Sequence, residues 1–235
     1  DDERRLETLI RLSRELIERV RKLLRDIIRT SKELIEEVLE TVKRILDKIE
    51  ELAKEVNLPR EVLEEIKDEL ERILKELEDA VRDIERKYER LLTELEKMVR
   101  EIEKKYKDLL EELEKGLDTK TILEEIKRLH DEVVEAIRRA LKALEEIHRE
   151  VHELIKRILD KLLEVLKKVV KVLEESGLRD EKISRKVEEL EKEIRRLIEE
   201  LKKKNEEVEK KIREIMKELD ERSERLRREL DRTRD

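Results

Sequence analysis

Apolar residues recur along this chain at intervals of three and four. In its first quarter Leu16, Val20, Leu23/Leu24, Ile27/Ile28, Leu34/Ile35, Val38 and Val42 follow the i, i+3, i+4, i+7 spacing of one helix face, not the alternation of a strand. Glu, Lys and Arg fill the positions between. Three short interruptions break the pattern: Asn57-Leu58-Pro59, Gly116-Leu117-Asp118 and Gly177-Leu178-Arg179-Asp180. Each opens with Asn or Gly, residues that accept the left-handed conformation ending a helix, and then places a Leu where a Schellman-type stop buries an apolar contact. Pro59 as a first helical residue, and Asp118 and Asp180 as N-caps, restart the helices. The pattern predicts four helices, about residues 2–56, 59–115, 118–175 and 180–235, and turns this short force successive helices antiparallel. The fold class expected is all-α: a single-chain, antiparallel, up-down-up-down four-helix bundle of long helices, one domain over 1–235.

The apolar stripe is not equally wide everywhere. Projected at about 100° per residue, it covers about half the circumference of the first and third helices and roughly a third of the second and fourth. The third is the broadest, with Val134, Leu141, Leu163 and Val170 on one flank and Ala143, Leu154 and Val172 on the other. A rhombic bundle, in which the first and third helices touch across the short diagonal, accounts for this. So does an oligomer interface on those two helices. Because diagonal helices share the widening, the rhombic monomer is the expectation and a homo-oligomer through helices 1 and 3 the alternative.

A repeat lies inside the stripe. Ile84-Glu-Arg-Lys-Tyr88-Glu-Arg-Leu91-Leu92-Thr-Glu-Leu95 returns 18 residues later as Ile102-Glu-Lys-Lys-Tyr106-Lys-Asp-Leu109-Leu110-Glu-Glu-Leu113. Eighteen residues are five helical turns, so Tyr88 and Tyr106 share one azimuth about 27 Å apart. A hydrophobic period of 3.6 imposes no supercoil of either hand, so the helices are expected nearly straight. Every helix interrupts its stripe with a polar pair at this interval: Ser13 and Ser31, Tyr88 and Tyr106, His130 and His148, Asn205 and Ser223. Antiparallel neighbours meet where residue numbers add to a constant set by the turn. Ser13 with Tyr106 and Ser31 with Tyr88 both add to 119, Tyr106 with His130 and Tyr88 with His148 to 236, and His130 with Ser223 and His148 with Asn205 to 353. Two buried polar layers follow, Ser13/Tyr106/His130/Ser223 and Ser31/Tyr88/His148/Asn205, with a third, apolar level at Ile49, Leu70, Leu166 and Val187. A buried hydroxyl or imidazole left unpaired costs about 1–3 kcal/mol, so such groups are expected to bond one another. A neutral His, accepting at one ring nitrogen and donating at the other, links Tyr to Ser or Asn across the core. A helix slipped by one turn would set polar groups against Leu and Ile, so the layers also specify register.

Composition narrows the picture. Of 235 residues, 55% are charged and 37% hydrophobic, with no Cys, Phe or Trp, which is the balance of long helices or coiled coil. The near balance of 61 basic and 68 acidic residues and the regular Leu/Ile/Val spacing argue against disorder. A net charge of −7 favours solubility and predicts no nucleic-acid partner. No apolar run approaches the ~20 residues of a membrane span and no secretory signal opens the chain, so no membrane partner and no targeting are expected; expressed in a cell, the chain would stay in the cytoplasm. It opens at Asp1 rather than Met, which predicts processing, tagging or trimming.

Sharper chemistry finds little support. Ser, His and Tyr together invite nucleophilic catalysis, but no buried acid is placed to orient His130, and neither a cleft nor loop-borne oxyanion donors are evident. His148 and His152, at i and i+4, share a face as metal ligands do, yet no Cys or convergent carboxylate completes a site. Haem ligation by His130 or His148 would need Gly or Ala space that the Leu/Ile stripe does not supply. No cofactor, metal, small-molecule substrate or enzymatic activity is expected. Thr30, Thr41 and Thr93 are expected to bond their own helix or lie at its boundary, and Met98 and Met216 to fill the stripe.

Equal helices, minimal turns, a near-even Glu/Lys/Arg surface and polar layers repeated every five turns resemble a computationally designed helical bundle with buried hydrogen-bond networks. The resemblance covers the whole chain and implies a stable scaffold, switch or assembly unit without natural activity. A pH-responsive bundle and a subunit of a homo-oligomer or filament are the alternatives it carries. A natural spectrin-like or lipid-binding bundle fits less well, since aromatics are nearly absent.

Overall fold

The computed structural model describes residues 2–233, which form four helices: α1 (Asp2–Glu55), α2 (Arg60–Glu114), α3 (Thr119–Glu175) and α4 (Glu181–Arg232). The fold is all-α, a four-helix bundle, with no strand among the described residues. The expected reach of the fourth helix to Asp235 falls on residues 234–235, outside the described residues.

The turns close as their sequences require. Asn57, Gly116 and Gly177 adopt the left-handed conformation, with φ of 53°, 78° and 65°. At the second turn the Gly116 amide donates to the Leu113 carbonyl (3.2 Å) and the Leu117 amide to Glu112 (3.2 Å). At the third, Gly177 donates to Glu174 (3.2 Å) and Leu178 to Leu173 (3.0 Å), so both are Schellman stops. Of the three leucines expected to be buried after the stops only Leu58 is; Leu117 is 52% and Leu178 37% exposed. Pro59 also stands one place earlier than expected. Its carbonyl accepts the Leu63 amide (3.0 Å), which makes it the N-cap and Arg60 the first helical residue. Asp118 caps α3, its carboxylate accepting the Lys120 amide (3.2 Å) and the Thr121 hydroxyl (3.1 Å), and Asp180 caps α4 by accepting the Ile183 amide (2.8 Å).

Contacts group the chain into two compact units, each holding a stretch of all four helices. The first contains the described residues up to Thr30, Lys87–Glu146, and those from Val208 onward. Its helices run antiparallel, as the ion pairs show by falling on one helix while rising on the next. Arg14–Glu103 (2.8 Å) and Arg21–Glu96 (2.7 Å) join α1 to α2, and Lys127–Asp231 (3.1 Å) and Arg138–Asp220 (2.7 Å) join α3 to α4. Arg19–Glu218 (2.6 Å) joins α1 to α4. Inside lie Ile10, Ile17 and Ile28 of α1 with Leu113, Ile126, Leu144 and Leu230, all buried.

The second unit comprises Ser31–Arg86 and Ile147–Glu207. Lys161 and Lys168 pair with Glu76 and Glu69 between α3 and α2, and Lys48, Lys186 and Lys204 pair with Glu193, Glu55 and Glu37 between α1 and α4. Its core holds Ile35, Ile45, Leu77, Ile155 and Ile158, and the apolar level Ile49, Leu70, Leu166 and Val187 is wholly buried. In both units the packing decides stability. Each fully buried Leu, Ile or Val is worth about 1.5–3 kcal/mol, whereas an exposed ion pair contributes about 0–1 kcal/mol. The flanks of the broad α3 stripe are covered within the chain: Val134, Leu141 and Leu154 are buried, and Ala143, Leu163, Val170 and Val172 half-buried.

Candidate functional site

In the second unit three helices bring polar side chains together at one level. His148 of α3 has Nε2 at 2.8 Å from Ser31 Oγ of α1 and Nδ1 at 2.9 Å from Asn205 Oδ1 of α4. The Asn205 amide nitrogen in turn donates to the His148 backbone carbonyl (3.1 Å). These contacts fix the tautomer of the ring. The Asn205 amide donates to a carbonyl, so its oxygen is the end facing the ring, and an amide oxygen only accepts. Nδ1 therefore carries the proton, and Nε2 accepts from the Ser31 hydroxyl. The ring has both nitrogens engaged, and Ser31, His148 and Asn205 are all buried. The Ser31–His148 bond also means that α1 and α3, the wide-striped helices, meet directly across this core. Burial pushes the His148 imidazole below its ordinary value, opposed by the hydrogen bond to Asn205.

The first unit uses its histidine differently. His130 of α3 directs Nε2 at Ser223 of α4, 3.1 Å from Oγ and 3.2 Å from the backbone carbonyl. A carbonyl can only accept, so here Nε2 holds the proton and the two histidines are opposite tautomers. Burial lowers the His130 value; the Asp131 carboxylate and the Ser223 carbonyl raise it, and the Arg227 guanidinium lowers it further. Asp131 and Arg227 form an ion pair (2.7 Å) beside this cluster. Ser13 and Tyr106 are buried in the same unit, and burial pushes the Tyr106 phenol up to about 12, tempered by the nearby Ser13 hydroxyl. Proximity is all they achieve, because neither Ser13 Oγ nor Tyr106 Oη reaches hydrogen-bond geometry with any group. Tyr88, also of this unit, is fully buried.

Thr41, expected to bond its own helix or lie at its boundary, joins the buried polar residues. Thr30 bonds its own helix through the Asp26 carbonyl (2.9 Å), Thr93 is exposed, and Met98 and Met216 are half-buried at the stripe edge. His152 is half-buried, with Nδ1 shielded and unpaired. It does not combine with His148 as a ligand pair, since both His148 ring nitrogens are already used. Among the described residues no three His, Asp or Glu side chains converge as a metal site would require, and no helix is long and apolar enough to cross a membrane. On the surface, Arg21 grips Glu96 through Nε (3.1 Å) and Nη2 (2.7 Å) and also reaches Glu18; the hydrogen bond to Arg21 holds the Glu96 carboxyl below its usual range. No stripe position pointed to that fork, because it lies outside the apolar face.

No family model, curated protein or solved structure matches the chain. Its class is defined by its own geometry: a four-helix bundle with hydrogen-bonded histidines buried in its core.

Proposed function

We propose that the chain is a designed structural scaffold without enzymatic activity, whose buried polar clusters specify how its helices register. The observation that carries this reading is the Ser31–His148–Asn205 set. Its groups use one another's donors and acceptors and are buried away from solvent, which suits a structural role and leaves the imidazole without a free nitrogen for a substrate proton. Sliding one helix by a turn would break these bonds and strand buried polar atoms among Leu and Ile, at about 1–3 kcal/mol for each. The test replaces the set together, as Ser31→Leu/His148→Leu/Asn205→Leu, and reads register through spin labels on neighbouring helices. The variant is expected to stay helical and equally stable while populating more than one register. A variant that keeps the parent's single set of label distances overturns the reading.

A second reading, a pH-responsive bundle, is favoured by burial lowering both His130 and His148. At His130 the Asp131 carboxylate favours protonation and the Arg227 guanidinium opposes it, and at His148 the hydrogen bond to Asn205 offsets part of the effect of burial. Loss of helical signal and compactness on acidification to about pH 5, absent in a His130→Leu/His148→Leu variant, is expected of a switch. A compactness that follows the same course in both proteins refutes it.

A further inference from the structure

The core repeats at a second, longer interval. Moving 117 residues along from a core position of α1 or α2 reaches a core position of α3 or α4: Leu24 and Leu141, Leu77 and Ile194, and Leu113 and Leu230 are all buried. The offset holds inside each unit, since each contains matching stretches of α1 and α3 and of α2 and α4. The α1–α2 hairpin and the α3–α4 hairpin are therefore two versions of one plan. They part at the buried polar positions, where the offset sets Ser13 against His130, Ser31 against His148, Tyr88 against Asn205 and Tyr106 against Ser223.

From this pattern we infer that the two hairpins are a matched pair: each takes the other as its partner and refuses a second copy of itself, and the Gly116-Leu117-Asp118 turn only tethers them. The bond that crosses between the hairpins is Ser31–His148 (2.8 Å), whereas His148–Asn205 and His130–Ser223 lie within the second hairpin. Asn205 keeps the His148 proton on Nδ1, so Nε2 is an acceptor that needs a donor from the other hairpin. Two α3–α4 hairpins set one His148 against another, crowding two rings where a ring and a hydroxyl fit and facing acceptor to acceptor. Two α1–α2 hairpins set Ser31 against Ser31 and leave the volume of the ring unfilled. Surface charge points the same way. Lys168 of α3 pairs with Glu69 of α2 (2.8 Å), and the residues at the offset positions, Glu51 and Lys186, share the α1/α4 cleft of the same unit. Like pairing opposes Lys168 to Lys186 and Glu51 to Glu69. The whole net charge of −7 lies in 1–117, 118–235 being neutral, so two first hairpins also repel. The turn adds no packing at Leu117, which is 52% exposed, and a Cβ at Gly116 would meet nothing within 4 Å. The inference rests on the structural role proposed for the Ser31–His148–Asn205 set and extends it from how helices register to which hairpin pairs with which.

The test inserts a protease site between Leu117 and Asp118, cuts the folded full chain there, unfolds the nicked protein in guanidinium, refolds it and weighs the pairs by native mass spectrometry. Pairing without preference gives about twice as much unlike pair as either like pair. The expected result is an unlike pair, near 28.7 kDa, at least tenfold above each like pair, and still so after refolding in 1 M NaCl, which screens surface charge. Ser31→His/Tyr88→Asn gives the first hairpin the residues of the second at this level and is expected to cut the excess at least threefold. Should that variant not refold, Ser31→Ile/Tyr88→Leu/His148→Leu/Asn205→Val, which copies the apolar level at Ile49, Leu70, Leu166 and Val187, is expected to do the same. Statistical pairing, a nicked chain that does not refold into pairs, an excess lost in salt, or an excess that the substitutions leave unchanged overturns the inference. Spin labels on the refolded pair read register separately, so a single register with statistical pairing refutes this inference and leaves the scaffold reading standing.

Discussion

Replacing Asn205 by Leu is the most searching test of the histidine cluster. The substitution removes the acceptor of His148 Nδ1–H and the donor to the His148 carbonyl, contacts of 2.9 and 3.1 Å in a buried setting. A helical carbonyl retains its intrahelical partner, so the main penalty is the stranded ring N–H, about 1–3 kcal/mol. The added apolar side chain recovers part of this, which leaves a destabilisation of about 2 kcal/mol. One escape is open. The ring can move its proton to Nε2 and point it at Ser31, provided that hydroxyl turns to accept, and the loss then falls toward about 1 kcal/mol. Guanidinium denaturation measures the stability, and imidazole nitrogen chemical shifts report the tautomer, Nδ1–H in the parent. Replacing the whole set, as Ser31→Ala/His148→Leu/Asn205→Leu, should return stability to within about 1 kcal/mol of the parent or above it, because no polar group is then left unpaired. If Asn205→Leu is as stable as the parent with its tautomer unchanged, or if the triple variant is less stable than the single one, the cluster is not bonded as described.

Three further outcomes follow from the same structure. Both histidines have folded values lowered by burial, so below the unfolded value of about 6.5 the unfolded chain binds more protons. Unfolding free energy is therefore complete above about pH 6.5 and falls with acidification by about 1.4 kcal/mol per pH unit per histidine, until the folded values are reached. Denaturation midpoints from pH 8 to 4.5 should show this slope in the parent and not in His130→Leu/His148→Leu; equal slopes would refute it. Tyr106→Phe removes a buried hydroxyl that has no hydrogen-bond partner, so it should leave stability unchanged or raise it by about 1 kcal/mol, and a clear loss would mean that the hydroxyl is bonded in solution. An alanine Cβ at Gly116 or Gly177 would meet no atom within 4 Å, so the cost of Gly→Ala there is that of the left-handed backbone alone, about 1–2 kcal/mol in thermal or chemical unfolding.

The helices and their ends were legible because they depend on local rules. A stripe at period 3.6 needs no knowledge of its neighbour, and Asn57, Gly116 and Gly177 announce left-handed stops wherever the chain goes. Burial of the polar residues was legible too, since Ser13, Ser31, His130, His148 and Asn205 occupy stripe positions. Matching residue numbers across the turns set His130 opposite Ser223 and His148 opposite Asn205, and these pairs are hydrogen-bonded. The same arithmetic could not say whether Leu58, Leu117 and Leu178 would be covered, because cover after a helix stop comes from residues distant in sequence.

Sequence alone determined the elements, their order and antiparallel sense, and the faces they bury, because hydrophobic period and turn chemistry are properties of neighbouring residues. Only the tertiary structure decided which hydrogen bonds close. Both histidines stand at equivalent positions 18 residues apart, yet one donates from Nε2 to Ser223 and the other from Nδ1 to Asn205. The difference arises because a short serine lets the ring reach its backbone carbonyl, while a longer asparagine brings an amide oxygen to the ring. Ser13 and Tyr106 are buried in one unit, yet neither hydroxyl closes a hydrogen bond. Which bonds close is set by packing in three dimensions, and residue spacing along the chain does not contain it.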